Sequence, residues 1–136
     1  TDYAVDIYWK AVESGVYRCP LKAGTYLPMM FMPDALRAAI DLMEADASRL
    51  KHFNSFNVGA LSFAPEDVAA SIQKRLPDFK LEYDVNPLLQ GIAESWPDAL
   101  DDTAAREEWD WEPEYSLDAM TNVMLTAISE RLGKAL

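Results

Sequence analysis

The sequence predicts an α/β fold, with several helices around a small, mainly parallel sheet. Three observations carry this. Several segments repeat apolar residues at helical spacing, beginning with Ala4, Ile7, Tyr8 and Ala11 at i, i+3, i+4 and i+7. Short β-branched or aromatic runs lie between them. From residue 55 to 83 a strand, a helix and a second strand follow in order, the pattern of a βαβ crossover with its two strands parallel or nearly so.

The first helix is capped by Thr1 or Asp2, whose side-chain oxygens accept backbone N–H bonds, and Gly15 ends it. Val16-Tyr17-Arg18-Cys19 reads as a strand before Pro20, and Lys22-Ala23-Gly24 as a turn. Met29-Met30-Phe31-Met32 is a short apolar run with strand character. Pro33 then suits a helix's first position, where its missing N–H costs nothing. Leu36, Ala39, Ile40 and Met43 form the expected buried stripe of that helix, with Arg37, Asp41 and Glu44 directed elsewhere.

Ser55-Phe56-Asn57-Val58-Gly59-Ala60 is the next expected strand. Pro65 opens another helix, with Glu66 and Asp67 in its first turn, where the macrodipole favours carboxylates. Val68, Ile72 and Leu76 give it an apolar face, and Pro77 stops it. Phe79 to Tyr83 alternates with period two, as a half-exposed strand does. Asn86-Pro87 opens a short helix that ends near Ser95, because the residue before Pro97 resists helical geometry. Asp101-Asp102-Thr103 caps a helix carrying Trp109 and extending toward Trp111. Ser116 caps the last helix, which runs to Leu132 with Leu117, Met120, Met124 and Ile128 on its face and Gly133 as its stop.

The chain of 136 residues is one domain's worth, 1–136, and is half apolar, which excludes disorder on composition. Its net charge of −11 makes nucleic acid and anionic lipid poor partners. Lone Cys19 allows no internal disulfide and fits a reducing compartment such as the cytoplasm. Cys19 and His52, the only His, read as a strand cysteine and a loop histidine rather than a nucleophile and its base, and they supply no zinc site. No apolar run approaches the ~20 residues of a membrane span. Thr1-Asp2-Tyr3 has neither the basic region nor the apolar segment of a signal peptide.

Several segments, taken in order, resemble one family: Thr1-Asp2-Tyr3-Ala4-Val5-Asp6, Leu27-Pro28-Met29-Met30, Met32-Pro33-Asp34-Ala35-Leu36-Arg37-Ala38, Leu42-Met43-Glu44-Ala45 and Ile92-Ala93-Glu94-Ser95-Trp96-Pro97. The run from Asp101-Asp102 through Trp111 and Pro113 extends the match. The chain resembles the short-chain L-threonine 3-dehydrogenases, of the extended, epimerase-like branch of short-chain dehydrogenases. The resemblance implies the C-terminal, substrate-binding part of such an enzyme, with the N-terminal nucleotide-binding domain missing. It implies oxidation of L-threonine to 2-amino-3-oxobutyrate, with NAD as cofactor and the tyrosine of a Tyr-x-x-x-Lys pair as base. No glycines here have G-x-x-G or G-x-G-x-x-G spacing, and no tyrosine has a lysine four residues on. The expectation is therefore a chain with no catalytic residue and no NAD site of its own, inactive in isolation.

Two substrate contacts carry over from the family, Thr1 and Trp96. Thr1 reads equally as a helix cap, and Trp96 as a core aromatic. In the family reading, the Trp96 indole covers the substrate and excludes water. Tyr26 stands where arginine is frequent in the family, and Leu89-Gln90 where Arg-Gln is common, which bears on how the substrate carboxylate is held. Met29, Met30 and Phe31 are candidates to face the missing half. Two other readings stand beside this one. The chain would be a stand-alone interaction module derived from such an enzyme, self-associating as a homo-oligomer or docking onto a separate nucleotide-binding chain. Otherwise it would be a piece of a nucleotide-sugar epimerase or dehydratase.

Overall fold

The computed structural model describes residues 3–53 and 55–136, so the capping roles expected of Thr1 and Asp2 lie outside the described residues. Six helices and four strands form among the described residues, in an α/β arrangement. Helix α1 (Tyr3–Ser14) buries Tyr3, Ile7, Tyr8 and Ala11, the face its spacing predicted, with Ala4 partly buried beside it. Gly15, at φ 72°, ends it in the left-handed conformation that a side chain would disfavour. Strand β1 (Val16–Cys19) follows immediately, with Tyr17 and Cys19 turned into the core.

Strand β2 (Leu27–Met29) lies two residues earlier than the apolar run suggested, because the helix takes up Met32 and Pro33. Strand β3 (Leu61–Phe63) pairs with β2 antiparallel, Pro28 opposite Ser62. Strand β4 (Lys80–Tyr83) pairs with β1 parallel, Tyr17 opposite Leu81. The strands thus make two pairs, one parallel and one antiparallel. The expected βαβ unit is corrected accordingly. Helix α3 (Pro65–Gln73) does join β3 to β4, but the two strands share no ladder, and the parallel partner of β4 is β1.

The main core lies between these strands and helices α1, α3 and α6 (Leu117–Leu132), around Ile7, Val68, Ile72 and Leu125, each fully buried. Each such side chain contributes roughly 1.5–3 kcal/mol through removal from water. The face of α6 differs from expectation. Met120 and Ile128 are buried, but Leu125 joins them while Leu117 and Met124 are only partly covered. Polar groups cross this core as satisfied pairs. The hydroxyls of Tyr8 and Thr121 lie 2.9 Å apart, and Ser71 donates to Asp118 at 2.6 Å while its oxygen lies 3.0 Å from the Thr121 hydroxyl.

Helix α2 (Met32–Glu44) overturns the largest sequence expectation. Leu36, Ile40 and Met43 are 61%, 49% and 77% exposed, and Met32 is exposed as well. The buried residues are Asp34 and Ala38. This opposite face packs on a second, smaller core of Ala105, Trp109 and Trp111, formed by α5 (Thr103–Trp109) and the segment after it. Polar anchoring decides which face turns inward. The Asp34 carboxylate accepts the amides of Glu114 (3.0 Å) and Tyr115 (3.2 Å) and pairs with Arg37, which also pairs with Asp41 at 2.9 Å. The Arg37 guanidinium lies over the Trp111 ring at 4.8 Å, donates to the Glu112 carbonyl, and so ties helix to tail.

The expected strand at 55–60 is also corrected, because among the described residues no ladder partner meets it. Its alternation survives, since Phe56 and Val58 lean on the second core, with the Phe56 and Trp109 rings 5.9 Å apart. The indole of Trp111 donates to the Gly59 carbonyl at 2.7 Å, and a Cβ on Gly59 would come within 3.1 Å of Asp102. Trp111 lies beyond α5 rather than on it, because Asp110 adopts φ 57° and closes the helix.

His52 is a loop residue, as expected, and its Nδ1 sits 2.5 Å from the buried Glu108 carboxylate. Burial pushes the Glu108 carboxyl up. The Lys51 amide, the His52 ring and the His52 amide outweigh burial and hold it below the usual glutamate range. Asp118 is likewise depressed by hydrogen bonds from Lys74 and Ser71. Carboxylates depressed on folding stabilise the fold above their unfolded pKa values of about 4, and that contribution is lost as pH falls through the folded-state values. The urea midpoint is therefore expected to hold between about pH 6 and pH 5 and to fall below about pH 4. Glu108→Gln should make that fall shallower; an identical pH profile for wild type and Glu108→Gln would refute the assignment.

Candidate functional site

Helix α4 (Pro87–Ala93) builds one wall of the clearest apolar cavity. Asn86 caps it, its side chain accepting the amides of Leu88 and Leu89. The Asn86 amide in turn donates to the Pro20 carbonyl at 2.9 Å, fixing the helix start to the end of β1. On the inner side Gln90 is buried, and its carbonyl oxygen accepts the Lys22 amide at 2.8 Å. Its amide donates to Glu94 at 2.9 Å and to Thr25 at 3.2 Å. This polar seam sets the rotation of α4, and Ile92 on its last turn and Trp96 in the bend beyond it stand at the cavity mouth, 50% and 57% exposed.

The cavity encloses about 410 Å³, with a floor of Tyr3, Leu21, Leu27 and Ala93, all buried. Met29 and Leu89 complete its sides, and among the described residues no charged side chain lines it. The Tyr3 hydroxyl donates to the Phe63 carbonyl at 3.2 Å. Trp96 is therefore a solvent-facing rim residue, not a core aromatic. Thr1 lies outside the described residues, but its neighbour Tyr3 and Trp96 line the same cavity. Tyr3, Leu27 and Ala93 of the floor fall in three of the family-like segments, but nothing in the sequence placed them on one wall. The sequence signal for the rim was the family-like segment Ile92 to Pro97, which contains both Ile92 and Trp96.

The two departures in sequence also acquire surroundings. Tyr26 is 43% exposed, and its phenol is pushed above the usual range first by the charge of Asp67, then by desolvation. An anion would meet carboxylates there, not a cation. Leu89 faces the cavity and Gln90 holds the polar seam.

Among the described residues the glycines do not form a dinucleotide cradle. Gly15 and Gly133 close helices, Gly24 sits in a turn, Gly91 is within α4, and Gly59 packs against Asp102, so none forms a phosphate cradle at a helix start. The first turns of α2, α3 and α6 carry Asp34, Glu66 with Asp67, and Asp118, which oppose an incoming phosphate. Among the described residues no group of three His, Cys, Asp or Glu side chains is placed to hold a metal ion. Cys19 is buried in β1. No described helix is long and apolar enough to cross a membrane.

No family model matches the chain. It is 53% identical over 131 residues to an uncharacterised epimerase/dehydratase of Staphylococcus aureus (strain MRSA252), covering 96% of this chain and 41% of that protein. The structure of L-threonine dehydrogenase from Clostridium difficile superposes with a TM-score of 0.92 at 50% identity, over 96% of this chain and 41% of the other. A GalE-like L-threonine dehydrogenase from Cupriavidus necator superposes at 0.88 with 45% identity, over 93% and 45%. Fold and sequence together make the chain similar to α/β proteins of the epimerase/dehydratase-like kind. More particularly, it matches the C-terminal part of L-threonine 3-dehydrogenases over nearly its whole length. The chain spans about 41% of the length of the curated relatives it matches.

Proposed function

We propose that this chain is the substrate-binding part of an NAD-dependent L-threonine 3-dehydrogenase working in the cytoplasm. In the complete enzyme, carbon 3 of L-threonine would give a hydride to NAD+ and its hydroxyl a proton to a base, leaving 2-amino-3-oxobutyrate. The dinucleotide site and the base would lie on residues outside this chain, and the chain alone would neither bind NAD nor oxidise threonine. Its own contribution is to receive substrate and exclude water, with Trp96 as the covering wall and Thr1 as a second substrate contact. The observation that carries this reading is the apolar cavity shared by the start of α1 and the Trp96 rim, open to solvent on the Trp96 side. The exposed apolar face of α2 supports a nucleotide-binding half as the partner that completes it.

The test is reconstitution. The chain, mixed with a separately produced nucleotide-binding half, should form NADH from L-threonine while neither part does so alone. Trp96→Ala removes an indole face worth about 1.5–3 kcal/mol when covered, so kcat/KM should fall about 10–100-fold. A well-folded mixture that forms no NADH would instead favour a non-catalytic interaction module.

A further inference from the structure

On the substrate-binding reading above, threonine's methyl group is small for this cavity. The cavity is open on one side, and its roughly 410 Å³ far exceeds the space a methyl group occupies. The described walls are apolar and none of the described lining residues is charged, while the Tyr3 hydroxyl already donates to Phe63. Such a space recognises hydrocarbon and leaves the ammonium and carboxylate of an amino acid to be held elsewhere. Its depth comes from Ala93, the one small side chain of the floor, and its width is set by Ile92 at the mouth. Both lie on α4, whose rotation is locked by the Asn86 cap and the Gln90 seam, so the opening is a fixed feature of the fold.

We propose that this cavity is a side-chain subsite that accepts 2-amino acids with chains longer than that of threonine, with Ile92 as the residue that sets the limit. The proposal rests on the substrate-binding reading above and adds the class of ligand. Burial of each added methylene should tighten binding about fourfold.

The experiment is calorimetric titration of the complete enzyme, this chain with its nucleotide-binding half, with L-2-aminobutyrate, L-norvaline and L-norleucine. None carries a 3-hydroxyl, so binding is read without turnover. Norleucine should bind about 15-fold more tightly than 2-aminobutyrate. Ile92→Trp, a substitution at an exposed rim position, should bring that ratio toward one, whereas a general loss of structure would weaken all three alike. A flat or falling series in an enzyme that binds L-threonine would overturn the proposal and mean that the partner half fills the cavity. So would a ratio unmoved by Ile92→Trp. If neither L-threonine nor any of the three binds, the substrate-binding reading itself fails.

Discussion

Asp34→Ala should cost the fold about 3–5 kcal/mol, the usual consequence of breaking a buried, hydrogen-bonded ion pair from one side. Asp34 is 1% exposed and serves three donors at once: the Glu114 amide, the Tyr115 amide and the Arg37 guanidinium. Removing the carboxylate leaves two backbone amides without their acceptor and a partly covered guanidinium over Trp111. Domains of this size are stable by only about 5–15 kcal/mol, so the loss is a large share of the total. It should appear as a lower urea midpoint, with the fluorescence of Trp109 and Trp111 changing first, because the second core depends on this tie. Asp34→Asn keeps one acceptor and should lose less. A midpoint for Asp34→Ala within about 0.5 kcal/mol of wild type would show that the tie contributes no more than an ordinary surface residue.

The elements that close through their own neighbours were legible in the sequence. Val16 to Cys19, the Pro65 helix, the Asn86 and Ser116 caps and the Gly15 and Gly133 stops are set by propensity, proline geometry and side chains within three or four residues. Pairing between distant strands was not. Nothing in Lys80 to Tyr83 distinguishes a parallel seat beside β1 from one beside β3. Helix α2 shows the deeper limit. Its periodicity correctly marks Leu36, Ile40 and Met43 as one face, but amphipathicity says only that a face is apolar, not that the same chain covers it. The deciding contacts, from Asp34 to residues 114 and 115, lie eighty residues away and leave no local pattern. The candidate site divides the same way. Trp96 was visible as a family residue, whereas the floor of Leu21, Leu27 and Ala93 required the fold.

That uncovered face leads to the second large effect. Leu36→Glu with Ile40→Glu should leave the isolated chain as stable as wild type within about 0.5 kcal/mol, since both side chains already face water. The same double substitution should reduce reconstituted NADH formation at least about 100-fold. Covering each of these side chains in an interface is worth roughly 1–2 kcal/mol at their present exposure, and burying a carboxylate in its place adds a penalty of similar or greater size. Each 1.4 kcal/mol is a factor of ten in affinity, so even the low end reaches two orders of magnitude. The pairing of outcomes matters more than either alone. A loss of stability in the isolated chain would mean that α2 turns this face inward in solution. Unchanged stability with unchanged reconstitution would mean that the nucleotide-binding half docks elsewhere. Only a stable chain that no longer assembles fits a helix whose apolar side waits for the rest of the enzyme.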